Sequence, residues 1–254
     1  MPTHTVEDIS TLLKYSPKCD HPEGGPVYRG QPAKFGLVPS LFRTGHACRP
    51  HGHWERYEET LIRLFQRESR PFVESPPTNP TDWIVLAQHH GLPTRVLDWT
   101  RSPLIGLFFA IEDLNPRTNG VVWSYLPNHV QFQPFATWND LRSLDHPTLY
   151  LPPAFFRRAE TQQACLTLHP LPKGFRKFSP FEGTFTGMFG GATKFVIPGS
   201  KKFELMKQLD DFGINRQLIY PGLDGVAHAI NWKMKRLRSS AKLSTKHRYS
   251  QKLI

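Results

Sequence analysis

Twenty-four prolines are scattered through the 254 residues, and they restrict this chain more than any other feature. Proline fixes φ and removes a backbone donor, so helices and strands must be short and joined by many turns. The elements that survive this punctuation are mixed in type. Pro26 to Gln31 reads as a strand after Glu23-Gly24-Gly25, and Trp54 to Ser69 as a helix with Leu61, Ile62, Leu64 and Phe65 on or near one face and Glu55, Glu58 and Glu59 early. A helix capped by Thr81 runs to His90 and stops at Gly91, because Pro93 forbids continuation. Arg95 to Trp99 is a short strand, and Ser102-Pro103 opens an apolar helix from Leu104 to Asp113.

Further strands are expected at Gly120 to Leu126, Gln162 to His169, Lys194 to Ile197 and Gln217 to Tyr220, with Phe175 to Gly191 as an extended loop or hairpin. Ser200 is expected to cap a helix carrying Phe203, Met206 and Leu209, and Asp224-Gly225 to lead into a last helix ending near Trp232. Strands and helices alternate without a regular βαβ rhythm. The expected class is therefore α+β: a mixed, mainly antiparallel sheet with flanking helices in a single domain. Residues 21–232 form that domain, with 1–20 as a lead-in and 233–254 as a tail.

The formal charge of +11 is unevenly placed. Lys233 to Ile254 holds eight Lys or Arg and no acid, leaving +3 for the remainder. Such a segment suits a solvated tail or contact with nucleic-acid phosphates through Lys233 to Lys252; charge of this kind gives affinity without sequence readout. No apolar run is long enough to span a bilayer and the first twenty residues do not resemble a secretory signal, so no membrane association is expected. Three cysteines without close pairing suit a reducing compartment, and the cytoplasm is the expected location.

Chemistry concentrates in two places. Arg29 stands within the first of these strands between Tyr28 and Gly30, and a fixed cation there needs a partner or an anionic ligand. Gly30 leaves room for close approach of a backbone or ligand. The second place is Gln88-His89-His90-Gly91-Leu92-Pro93-Thr94-Arg95-Val96-Leu97-Asp98-Trp99-Thr100-Arg101-Ser102-Pro103. Here His89 and His90 occupy a last helical turn, Asp98 can emerge at the end of a strand, and Trp99 offers a flat face for stacking. Thr100 and Ser102 precede a helix whose N-terminus favours anionic oxygens. Cys19, His21, His46, Cys48, His51 and His53 match no common zinc spacing, and no metal site is assigned. No P-loop, nucleophile elbow or zincin motif occurs.

Val27-Tyr28-Arg29-Gly30-Gln31, Leu37 to Arg43, and Ala87 to Thr100 followed by Ser102-Pro103-Leu104 resemble the FRG domain, named for its Phe/Tyr-Arg-Gly motif. Gln162-Gln163, Leu166 to Pro170, Gly213-Ile214-Asn215 and Leu218 to Gly225 extend the resemblance. Ala164, Leu166 and Gly222 depart from its usual pattern. A more distant likeness to ADP-ribosyltransferases implies an NAD site. In that likeness Arg29 holds the diphosphate, Thr100 and Ser102 shape the nicotinamide-ribose pocket and Trp99 stacks; Tyr28, Gly30 and Thr94 are further cofactor-binding candidates, and Gln31 and Gln163 are substrate- or strand-lining. Arg29, His89, His90 and Asp98 are the catalytic candidates, with Glu160 and Glu182 as weaker acids. The implied activity is that of a toxin or phage-defence effector with a neutralising partner protein. Two rival readings remain: a metal-independent nuclease using His89 and His90, and a non-catalytic nucleic-acid-binding module.

Overall fold

In this computed structural model, residues 1–18, 25–33, 35–43, 54–127, 130–131, 133–151, 161–173, 178–181 and 192–250 are described, with backbone alone for 131 and 238–250. The prolines start elements as well as ending them. Pro80 and Pro103 occupy the first turns of α4 (Pro80–His89) and α5 (Pro103–Ile111), where a missing N–H costs nothing. Ser102 caps α5 as expected, its Oγ accepting the Ile105 N–H. For α4 the cap is Asn79 rather than Thr81: with Pro80 as first helical residue the cap falls one position earlier, and Asn79 Oδ1 accepts the Asp82 N–H at 2.9 Å. Thr81 lies inside the helix and donates to the Phe135 carbonyl. Gly91, at φ +86°, ends α4 as read.

Among the described residues eight strands form one sheet in the order β1-β8-β4-β2-β3-β7-β6-β5. They are β1 (Thr3–Thr5), β2 (Val27–Gln31), β3 (Val96–Thr100), β4 (Gly120–Tyr125), β5 (Val130–Gln131), β6 (Thr148–Tyr150), β7 (Ala164–Leu168) and β8 (Ala192–Ile197). Among the described residues only β1–β8 and β5–β6 pair in parallel; the other ladders are antiparallel. The architecture is thus the expected single α+β domain with a mixed, mainly antiparallel sheet. Residues 3–15, read as lead-in, supply β1 and helix α1 (Ile9–Tyr15), whose Val6, Ile9 and Leu12 neighbourhood is core.

β4 is buried at all six positions, which is why Gly120 to Tyr125 reads as a nearly continuous apolar run. On one face Tyr28, Val122 and Phe195 pack with Leu107 and Phe108 of α5 and with Leu205, Met206 and Leu209 of α7 (Lys202–Asp211). On the other, Val27, Val121, Trp123, Leu97, Trp99 and Cys165 close around Tyr125 and Phe181. Helix α5 lies very close to the sheet: a Cβ on Gly30 would sit 2.0 Å from the Gly106 carbonyl oxygen and 2.6 Å from the Ala110 nitrogen. The missing Gly30 side chain therefore makes room for the backbone of α5.

Three sequence expectations are corrected. Gln217 to Tyr220 is not a strand: Arg216–Ile219 is a helical turn, α8, because the Asn215 side chain accepts both the Gln217 and Leu218 N–H at 3.1 Å. Ser200 does not cap α7; a 3₁₀ turn over Gly199–Lys201 leads into it, and the cap residue, Lys201, makes no side-chain capping bond to the helix. The final helix, α9 (Leu223–Ser250), runs well past Trp232. The remaining helices are α2 (Ser40–Arg43), α3 (Trp54–Ser69) and α6 (Trp138–Arg142). In α3 the buried face is Trp54, Glu58 and Ile62, while Leu64 is exposed. No helix among the described residues is long and apolar enough to cross a membrane.

Candidate functional site

Helix α4 delivers Val85, Gln88 and His89 to one side of a cavity of about 400 Å³. Their i, i+3, i+4 spacing puts them on one helical face. Opposite stand Tyr28, Arg29 and Gly30 of β2, with Asp98, Trp99 and Thr100 of β3 forming the floor and Phe109 of α5 and Gln162, Ala164 and Leu166 at or before β7 completing the wall. The volume lies in the range of small-molecule sites.

The cavity exists because the ladder between β2 and β3 is a single pair, Tyr28 with Thr100. Continued registration would set Gly30 opposite Asp98, but the strands part there. Arg29 Nη1 instead donates to the Asp98 carbonyl at 2.7 Å, filling the place of a ladder donor. The same guanidinium lies 3.9 Å from Asp98 Oδ2; the arginine side chain is 18% exposed and the aspartate 63%. Arg29 Nε is buried and has no partner among the described residues. Burial lowers the Arg29 pKa from its ordinary value, Asp98 opposes that shift, and nearby Arg43 adds to it. The wall is therefore electropositive despite Asp98, and an anionic ligand would relieve both the desolvation and the repulsion.

Asp98 is held from the other side. Gln88 Nε2 donates to Asp98 Oδ1 at 2.9 Å, while Gln88 Oε1 accepts from the hydroxyl of buried Thr94. Thr94 is thus a positioning group behind Gln88 and does not line the cavity. Thr100 does line it, but its hydroxyl donates to the Gln162 carbonyl at 2.7 Å and accepts the Ser102 N–H. Ser102 is occupied in capping α5. Trp99 borders the space, yet its ring packs against Tyr125 and Phe181 and its Nε1 donates to Thr167 Oγ1 at 2.8 Å. The aromatic of the lining that is only half-buried is Phe109.

The two histidine rings meet edge to face, 5.3 Å apart, but differ in what they border. His89 lines the cavity, whereas His90, one residue further round the helix, turns toward Phe65. Gln31 is core, accepting from Trp123 Nε1 at 2.9 Å, and Gln162 rather than the exposed Gln163 reaches the cavity. Glu160, Glu182 and the His/Cys group at 19, 21, 46, 48, 51 and 53 lie outside the described residues. Among the described residues no three His, Cys, Asp or Glu side chains converge to hold a metal.

Behind the site are two groups that sequence reasoning did not single out. Arg95, fully buried, forms a bidentate pair with Glu58 and donates to the Leu141 carbonyl, tying β3 to α3 and α6. His169 is equally buried. Burial first, then Arg29 and Arg95, push its pKa down to about 3. Thr167 Oγ1, already accepting from Trp99, gives its one proton to His169 Nε2, 2.9 Å away, so Nδ1 carries the imidazole proton and has no partner among the described residues. The i, i+3, i+4 face of α4 is the signal that would have found Val85 and Gln88; nothing local marks Gln162 or Arg95.

Residues 25–119 match the FRG domain family. No curated protein and no solved structure matches the chain. The matched span holds β2, α4, β3 and α5, while Gln162, Ala164 and Leu166 fall beyond it. What it covers is the part of the fold that builds the arginine wall and the facing helix, so an FRG domain spans residues 25–119 of the chain.

Proposed function

We propose that the cavity binds NAD and passes its ADP-ribose to an acceptor on a nucleic acid or protein, as a toxin or phage-defence effector in the bacterial cytoplasm. The observation that carries this reading is Arg29: a largely buried guanidinium whose Nε has no partner among the described residues, set between two parting strands beside an open volume. Its remaining donors suit a diphosphate, which neutralises a charge that Asp98 compensates only in part. Phe109 supplies an apolar surface for the nicotinamide. Asp98, the one acid among the described lining residues and 63% exposed, supplies negative charge where the ribose becomes oxocarbenium-like.

The bond between ribose C1′ and the nicotinamide nitrogen breaks with its electron pair leaving on nicotinamide. An acceptor heteroatom then bonds to C1′, and its proton passes to the Asp98 carboxylate. Gln88, fixed by Thr94, holds that carboxylate in place. Calorimetry with NAD tests binding directly, and transfer of label from NAD tests the chemistry. Arg29→Ala should abolish both, while Asp98→Asn should keep binding and lose transfer. Absence of NAD binding by the unmodified protein refutes the proposal.

A nuclease with His89 and His90 as paired base and acid has less support, because only His89 lines the cavity. The non-catalytic reading predicts steeply salt-dependent nucleic-acid binding lost on removing Lys233 to Ile254 and indifferent to Arg29→Ala.

A further inference from the structure

Helix α9 has two faces of different fate. Gly225, Ala229 and Trp232 are buried against the domain; Trp232 Nε1 donates to Asp210 Oδ2 at 3.1 Å, and Arg236 pairs with Asp210 and Asp211. These contacts fix the rotation of the helix. Leu223, Val226, Ile230, Met234 and Leu237 consequently face outward, from 36% exposed for Val226 to 87% for Leu223. At about 100° per residue these five fall within an arc of roughly 80°, a continuous apolar ridge on the side opposite Trp232.

We propose that this ridge docks into the groove of a partner protein whose apolar floor is bordered by acidic side chains. The spacing is that of helix-in-groove anchors. Charge selects the occupant: Lys233 and Lys235 are exposed on this helix, and the chain from 233 onward carries eight Lys or Arg and no acid. A second copy would set those eight cations against eight more. A bilayer surface suits the ridge less, because interfacial helices present a broader apolar face with aromatic residues, and over 223–237, where side chains are described, the one aromatic residue, Trp232, is turned inward. A nucleic acid would use the charges and leave the ridge uncovered. The inference is independent of any ligand in the Arg29 cavity.

The probe is a synthetic heptad peptide with Leu at its a and d positions and Glu at e and g, titrated against the full chain by fluorescence anisotropy. Binding is expected at low salt, weakened by high salt. Replacing Ile230→Glu together with Met234→Glu should weaken it about tenfold or more. Both positions are exposed, and an unchanged melting curve establishes that the variant is folded. The proposal is overturned if the peptide does not bind, or if the double variant binds it equally well. It is also overturned if phosphatidylglycerol vesicles bind the unmodified chain in place of the peptide, or if the chain sediments as a dimer that the double substitution dissociates.

Discussion

His169 gives the fold a proton-linked weakness whose size follows from its surroundings. The ring is buried between Phe178 and Phe181, neutral, and faced by the fields of Arg29 and Arg95, which together with burial bring its pKa down to about 3. In the unfolded chain the same group titrates near its ordinary value of about 6.5. Above that pH neither state is protonated and the shift has no effect. Between 6.5 and 3 only the unfolded chain takes up the proton, so stability falls as pH falls, by about 1.4 kcal/mol for each unit well below 6.5. Between pH 7 and pH 5 the loss amounts to about 2 kcal/mol from this one residue. Urea unfolding at the two pH values measures it. His169→Gln, which retains an acceptor for Thr167, should lower stability at both pH values but remove about 2 kcal/mol of the difference between them. Identical pH dependence in the variant and the unmodified protein would refute the assignment of a neutral, protonation-resistant His169.

Other consequences can be checked separately. Gly30→Ala drives a Cβ into the backbone of α5 and should cost about 3 kcal/mol or more, read as a lowered melting temperature. Glu58→Ala leaves Arg95 charged and buried without its partner, and should destabilise by about 3–5 kcal/mol in denaturant titration; a change below about 1 kcal/mol would mean the pair is not buried as described. Burial raises the Cys165 thiol to about 12, partly countered by Arg101 and reinforced by Asp98, so a Cys19→Ser, Cys48→Ser variant should not react with a disulfide reagent until unfolded.

The parts of the fold that local chemistry determines were readable from the chain. Ser102-Pro103 and Gly91 mark helix ends through rules that need no partner, and the periodicity of Trp54 to Ser69 returns α3 with its full extent. Arg29 stood out because a cation within an apolar strand demands an explanation. What sequence could not supply was register and distance. One residue of helical phase decides that His89 meets the cavity and His90 does not. Glu58 reads as an early helical acid until Arg95, 37 residues away, claims it. Trp99 looks like a stacking platform only while the aromatic cluster on the far side of the sheet is unseen. Asn215 shows the opposite failure, a local cap outweighed in the reading by the apolar residues after it.

The single pairing of Tyr28 with Thr100 divides the eight strands into two leaves of four. Joined at one corner, such leaves respond to shear first at their seam, before either leaf's own ladder is disturbed. The gap width at Arg29 is accordingly set by α5, which packs on β2, β3 and β4 and so straddles both leaves. Substitutions along that helix, far from any polar group, would tune what the gap accepts.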